Sequence, residues 1–230
     1  MTATPSPQER PVRPGRMARE QRHEHLLDVA ADLIVAEGLD AVTMEGVAAR
    51  AGVSKGLGYA YFGNRDELLV ALFDREAALF DERIATVLAG SGPGLDAKLR
   101  AVFTAGLDHT VERGLLTGAL LQAKLTDGPL ESRRKQRQGV VNRFFVAMVQ
   151  EEIGLDANEA SVAVTILLAA NAGALEAWLG RRMKRPQITD TFVRMAMGAL
   201  EALANPCQVR QSGRPAQPTT AKTAVRPRLV

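Results

Sequence analysis

The sequence predicts an all-α protein. Aromatic residues make up only 4% of the 230 residues, and alanine and leucine dominate the apolar positions, a composition that favours helix over strand. Apolar residues recur at spacings of three and four along most of the chain, and no segment alternates with the period of two that is typical of strands. Clusters of glycine and proline separate these segments, as at 91–94 and 127–129.

The first helix is predicted from about Met17, with Leu26, Ala30 and Leu33 on its apolar face and Gly38 at its end. Residues 1–16 contain four prolines and several small polar residues, so we expect a disordered basic arm there.

Two short helices joined by a tight turn follow in residues 43–62. Met44, Val47, Ala48 and Ala51 recur on one face of the first of them. Thr43 and Ser54 stand where a hydroxyl can cap each helix, and Gly52 supplies a turn position that tolerates positive φ. This pattern predicts a helix-turn-helix, which the first helix completes as a three-helix domain over 17–63.

A long fourth helix is predicted from Asn64, where Asn64 and Glu67 are spaced as in a capping box. Its apolar face continues to Leu88, which gives a rod of about 37 Å. Beyond the break at 91–94, further helices are predicted over 95–110, 114–125, 130–153 and 157–184. A last helix, capped by Thr189 or Asp190, is predicted to run to Ala204. The C-terminal unit therefore spans 64–204, and residues 205–230 form a second disordered basic tail.

Composition excludes several classes of protein. One cysteine excludes an internal disulfide, and no metal-ligand spacing, phosphate loop or nucleophile motif is found, so we expect no metal, no cofactor and no enzymatic activity. The sequence lacks an uninterrupted apolar run of 18 residues and an N-terminal apolar signal core, which predicts a cytoplasmic protein with no membrane segment. Residues 1–25 and 205–230 together hold ten of the 29 basic residues and only three of the 26 acidic ones, a distribution that suits contact with phosphates.

Residues 43–69 resemble the N-terminal signature of the TetR family of bacterial transcriptional regulators. The matching residues are AGVSKG at 51–56, Tyr59, the Tyr61–Phe62 pair and RDELL at 65–69. The helix-turn-helix places its second helix in the DNA major groove. We therefore predict DNA contacts from Thr43, Ser54, Lys55, Leu57, Tyr59, Tyr61 and Arg65. Leu57 and Gly58 depart from the family pattern, and Gly58 predicts a softened recognition helix.

The segment 162–179 is apolar nearly all round and rich in small residues, so it must be covered on every side. It is either a fully internal helix of a monomer or part of a four-helix bundle between two subunits. The family resemblance implies the homodimer. The predicted interface residues are Ala170, Gly173, Ala177, Met195 and Ala199.

Apolar residues in the C-terminal half could line a cavity for a small hydrophobic or amphipathic effector. The predicted contacts are Phe103, Leu107, Leu121, Phe144, Met148 and Trp178. The basic run at 133–137 is either a solvated helix face or a site for an anionic effector.

Together these features predict a dimeric, sequence-specific transcriptional regulator, with double-stranded DNA as its partner. We expect a repressor that its effector releases from a palindromic operator. The alternative is a DNA-binding protein that is controlled by a partner protein, or that acts architecturally without a small-molecule effector.

Overall fold

The computed structural model describes residues 14–122, 128–180 and 183–205, and these form eight α-helices and a 3₁₀ turn at Leu39–Ala41. The helices are α1 (Pro14–Glu37), α2 (Met44–Arg50), α3 (Lys55–Tyr61), α4 (Arg65–Ala89), α5 (Leu95–Gln122), α6 (Pro129–Ile153), α7 (Ala157–Leu179) and α8 (Arg185–Ala204). The described residues contain no strand, which confirms the predicted all-α class.

Helix α1 begins three residues before the predicted start, because a proline in the first turn needs no partner for a backbone N–H. The disorder predicted for residues 1–13 and 206–230 lies outside the described residues.

One hydrophobic core spans the expected boundary at residue 64. Its α1 residues include Leu26 and Ile34, which pack with Val47 of α2 and with Leu68 and other residues of α4. The far end of α5 joins the same cluster through Leu116 and Leu120, and α6 joins it through Leu130. The three-helix domain is therefore continuous with the first half of α4, so a movement of α4 acts directly on the N-terminal helices.

Three predictions in the C-terminal half are wrong. The helices expected at 95–110 and 114–125 are one continuous α5 as far as Gln122, because Gly114 inside a helix costs only about 1 kcal/mol and the packing of α5 against α4 and α1 outweighs that cost. Helix α7 ends at Leu179 before Gly180, and α8 already begins at Arg185 with Pro186 in its first turn. Pro186 therefore lies where a helix tolerates proline, and Thr189 is a buried helical residue rather than a cap.

Helix α7 is largely uncovered in the single chain. Ala160, Ala163 and Val164 are its buried residues, whereas Val162 and Ile166 are 61% and 62% exposed. The alternative prediction, that α7 is a fully internal helix of a monomer, is therefore wrong. By length and composition, α7 is the one described helix that could cross a membrane, which is weak evidence on its own.

Candidate nucleic-acid interface

The predicted caps and turn of the helix-turn-helix are present. The Thr43 hydroxyl accepts the Gly46 N–H at 3.0 Å, and the Ser54 hydroxyl accepts the Leu57 N–H at 3.3 Å. Gly52 has φ of 67°, which lets the Val53 N–H turn back to the Ala48 carbonyl at 3.0 Å. These local bonds set α3 against α2 and keep both cap residues on the surface.

Gly58 lies at the closest approach of α2 and α3. A β-carbon placed on Gly58 would lie 3.4 Å from that of Ala48, which is the near limit of ordinary contact. Gly58 is buried in a regular helical turn, and its side facing α2 is filled by Ala48 and Met44. Glycine thus allows the two helices to pack closely, and α3 remains helical through this position.

The exposed face of α3 carries Lys55 and Tyr59, and both contact Glu45 of α2. The Lys55 ammonium lies 2.6 Å from Glu45 Oε1, and the Tyr59 hydroxyl donates to the same oxygen at 3.3 Å. The ammonium also lies 5.8 Å from the centre of the Tyr59 ring. Hydrogen bonding to Lys55 lowers the pKa of Glu45, and hydrogen bonding to Glu45 raises the pKa of Lys55.

Glu45 was missed by the sequence reasoning. It is ten residues from Lys55 and fourteen from Tyr59, and neither spacing is a local helical signal. Only the packing of α3 on α2 brings the three side chains together.

Arg65 is held by the backbone of the chain that precedes α2. Its guanidinium donates to the Val42 carbonyl at 2.7 Å and to the Leu39 carbonyl at 2.8 Å, and the side chain is partly buried. These bonds fix the start of α4 to the segment that leads into the helix-turn-helix. A phosphate contact through the remaining N–H donors stays a prediction.

The other predicted DNA contacts lie near this face with different exposure. Leu57 is half-buried in α3. Tyr61 is half-buried at the end of α3, where it borders an open cleft of about 510 Å³. The rest of this cleft is lined by Arg19, Glu20, His23 and Glu24 of α1.

The predicted effector contacts do not form one cavity. Phe103, Leu107 and Trp178 meet in one hydrophobic cluster between α5, α7 and α8, where the Phe103 and Phe192 rings stack at 4.4 Å. Met148 belongs to another cluster, which contains residues of α6, α7 and α8 together with Leu95 of α5. Leu121 and Phe144 are 48% and 46% exposed.

Ion pairs hold the connecting helix α4 on three sides. The basic run of α6, residues 133–137, pairs with carboxylates of α4. Arg133 donates to Asp74 at 2.6 Å, and Arg137 donates two hydrogen bonds of 2.5 Å to Asp81. This part of the run is therefore a contact between helices, not a free solvated face. On the second side, Arg75 of α4 binds Asp28 of α1 at 2.8 Å.

On the third side, the buried Glu76 of α4 pairs with Arg113 of α5. Glu76 is 3% exposed and accepts two bonds from Arg113, at 2.8 Å to Nε and 2.5 Å to Nη2. The neighbouring His109 ring contacts the Phe80 ring at a tilt, with centroids 4.7 Å apart, and its Nε2 lies 3.1 Å from the Thr117 hydroxyl. Burial, together with the charge of Arg83, lowers the pKa of His109.

The predicted dimer residues lie on or beside the uncovered face of α7 and α8. Gly173, Met195 and Ala199 are exposed, and Met195 is 50% exposed. Ala170 and Ala177 are partly buried, and Ala170 packs against the cluster around Phe103.

The three-helix arrangement and its exposed α3 define a helix-turn-helix DNA-binding protein. Residues 26–72 match the model of the bacterial regulatory proteins of the tetR family. The HTH-type transcriptional repressor KstR of Mycobacterium tuberculosis is 29% identical, over 80% of this chain and 84% of that protein. The HTH-type transcriptional activator FasR of Mycolicibacterium smegmatis is 25% identical, over 82% of this chain and 87% of that protein.

The fold agrees with these relatives. The crystal structure of a tetR-family transcriptional regulator from Streptomyces coelicolor superposes with a TM-score of 0.66 at 22% identity, covering 84% of this chain and 86% of that one. Residues 26–72 therefore have the helix-turn-helix of the tetR family of bacterial regulatory proteins, and over most of its length the chain is similar to transcriptional regulators.

Proposed function

We propose that the protein is a homodimeric transcriptional repressor that binds a palindromic operator in the cytoplasm and leaves it when a small apolar or amphipathic effector binds. The observation that carries this proposal is the attachment of α4 to the helix-turn-helix unit. Helix α3 presents Lys55 and Tyr59 to solvent, and Arg65 at the start of α4 is bonded to the chain before α2. Any displacement of α4 therefore moves the DNA-binding face.

The proposal assigns a different role to each part of the chain. Residues 17–63 bind DNA, and residues 64–204 bind the effector and dimerise. Lys55 and Tyr59 enter the major groove with Ser54 and Leu57 beside them, and Thr43, Tyr61 and Arg65 contact phosphates. Thr43 and Ser54 use their hydroxyls as acceptors in the caps, which leaves each O–H available to a phosphate.

Dimerisation through α7 and α8 explains why an apolar helix is uncovered in the single chain. Val162 and Ile166 of α7 and Met195 and Leu203 of α8 are all more than 40% exposed. Small residues such as Gly173 and Ala199 allow two helices to approach closely on this face. A second copy would bury both helices as a four-helix bundle.

The dimer is tested by sedimentation of the Gly173→Arg variant, which places a charge in the close contact and should produce a monomer with weak DNA binding. The matched control is Val111→Arg on α5, where the wild-type side chain is 69% exposed, and it should remain dimeric. A wild-type protein that sediments as a monomer at micromolar concentration would contradict the bundle. Detergent-dependent solubility of the wild type would instead favour a membrane contact for α7.

Release from DNA follows from the spacing of the two recognition helices. A dimer reads successive major grooves when its two α3 helices are about 34–36 Å apart. Helix α4 has 25 residues and is about 37 Å long, so a small tilt at one end moves the other by several ångströms. An effector that weakens operator binding 100-fold must prefer the displaced state by about 2.7 kcal/mol.

The effector site is proposed at the cluster of Phe103, Leu107 and Trp178. Its support is that three helices of the C-terminal unit, α5, α7 and α8, meet there. Trp178 is the single tryptophan of the chain, so its fluorescence reports on this cluster alone.

The experiment begins with footprinting on DNA that flanks the protein's own gene, followed by titration with straight-chain fatty acids and alcohols. The proposal expects a palindromic footprint and a change in Trp178 fluorescence for a compound that releases the DNA. Operator DNA must weaken the binding of that compound by the same factor. Equal affinity for the compound with and without operator would leave a DNA-binding protein whose signal comes from a partner protein.

A further inference from the structure

Glu45 holds the two exposed side chains that the proposed function assigns to the major groove. A single carboxylate oxygen lies 2.6 Å from the Lys55 ammonium and 3.3 Å from the Tyr59 hydroxyl. The ammonium also lies over the Tyr59 ring. Glu45 is in the first turn of α2, so this acid reaches across the helix-turn-helix to the recognition helix.

These contacts contribute little to the stability of the fold. The side chains of Lys55 and Glu45 are 64% and 52% exposed, and water screens the attraction between exposed charges. An acid on a surface that faces phosphates also opposes binding by like-charge repulsion. We therefore expect Glu45 to affect DNA binding rather than the stability of the fold.

We propose that Glu45 is a specificity-determining residue, which neutralises Lys55 and orients it with Tyr59, and so withholds the lysine from sequence-independent phosphate contact. The inference rests on the proposed DNA-binding function and deepens it. On random DNA, Lys55 stays with Glu45 and displaces no counterion. On a cognate site, base-edge acceptors in the major groove compete for the ammonium, and Lys55 leaves Glu45.

The size of the effect follows from counterion release. Each phosphate that a lysine neutralises adds about 0.9 to the slope of log affinity against log salt concentration. Glu45→Gln keeps the shape of the side chain and removes its charge, so Lys55 becomes free to neutralise a phosphate on any sequence. Over a change from about 50 to 200 mM NaCl, one such contact changes the affinity by about 3.5-fold.

The test measures fluorescence anisotropy of a labelled random-sequence duplex with the full-length protein across that salt range. Glu45→Gln should steepen the slope by about 0.9 and tighten binding at low salt by about threefold or more. Affinity for a duplex that the wild type enriches from a randomised pool should rise less. The ratio of specific to non-specific affinity should therefore fall about threefold.

Two further variants distinguish an effect that acts through Lys55 from the general effect of removing one negative charge. Asp32→Asn removes an exposed acid from α1 of the same domain and should leave the slope within about 0.3 of wild type. Lys55→Met should change the non-specific slope little in the wild-type background, but should remove the gain in the Glu45→Gln background.

The inference is overturned if Glu45→Gln and Asp32→Asn give the same slope, or if the Glu45→Gln/Lys55→Met double variant keeps the steeper slope. A wild-type protein that binds neither duplex would overturn the proposed function together with the inference. Wild-type binding with an unchanged slope in Glu45→Gln would overturn the inference alone.

Discussion

Replacing Arg113 by methionine should destabilise the protein by about 2–3 kcal/mol, because the buried Glu76 carboxylate loses its principal partner. Glu76 is 3% exposed and accepts two hydrogen bonds from the Arg113 guanidinium, at 2.8 and 2.5 Å. After the substitution its nearest cation is Arg75, at 3.4 Å. Methionine retains most of the aliphatic length of arginine, so the change isolates the loss of charge.

The magnitude follows from the burial of the two partners. Breaking a fully buried ion pair costs about 3–5 kcal/mol. The Arg113 side chain is 38% exposed, so water can enter after the substitution and the cost lies below that range. In a chain of this size, about 2–3 kcal/mol lowers the melting temperature by about 4–12 °C.

The assay is thermal and urea unfolding followed by circular dichroism, at one protein concentration because association shifts apparent stability. Arg83→Met is the matched control, since Arg83 also joins α4 to α5 by pairing with Glu112, but the Glu112 side chain is 52% exposed whereas Glu76 is buried. Arg83→Met should destabilise the protein clearly less than Arg113→Met, because Glu112 stays in contact with water after the substitution. The Glu76→Leu/Arg113→Met double variant should recover most of the loss, because it leaves no buried charge unpaired. Equal costs for Arg113→Met and Arg83→Met would refute the reasoning.

Three further predictions concern DNA binding, packing and pH. Arg65→Ala should weaken binding to all DNA sequences alike and flatten the salt slope by about one unit; a changed sequence preference with an unchanged slope would disprove the phosphate contact. Gly58→Ala should raise the free energy of unfolding by about 0.5–1 kcal/mol in urea denaturation, since the added β-carbon only reaches ordinary contact with Ala48. A lower stability would show that the closeness of α2 and α3 requires glycine. Burial and Arg83 lower the pKa of His109, so the unfolded chain binds the proton more readily and stability should fall as pH drops below about 6.5. His109→Gln should reduce this loss in melting curves between about pH 7 and 5; an unchanged pH profile would rule out His109 as its source.

The helix-turn-helix could be predicted from the sequence because its determinants are local. Thr43 and Ser54 cap helices that begin one residue later, and Gly52 adopts positive φ within the turn itself. Asn64 likewise caps α4, with its side chain accepting the Glu67 N–H at 2.9 Å. Such bonds join residues two to four positions apart, so residue type and spacing suffice to identify them.

Only the tertiary structure decided which residues far apart in the sequence interact. Arg133 and Asp74 are separated by 59 positions, and Arg113 and Glu76 by 37, so their pairing depends on how α5 and α6 pack against α4. The same packing keeps α5 continuous through Gly114, where local propensity favoured a break. Glu45 meets Lys55 for the same reason, because two helices must be docked before their exposed side chains can share one oxygen.

The sequence by itself determined the helical class, the three-helix unit and the small, apolar character of α7. It did not determine which side of α7 is covered, because a helix that is apolar all round carries no periodicity to orient it. The tertiary structure decided that Val162 and Ile166 face outward while Ala160 and Val164 face the core.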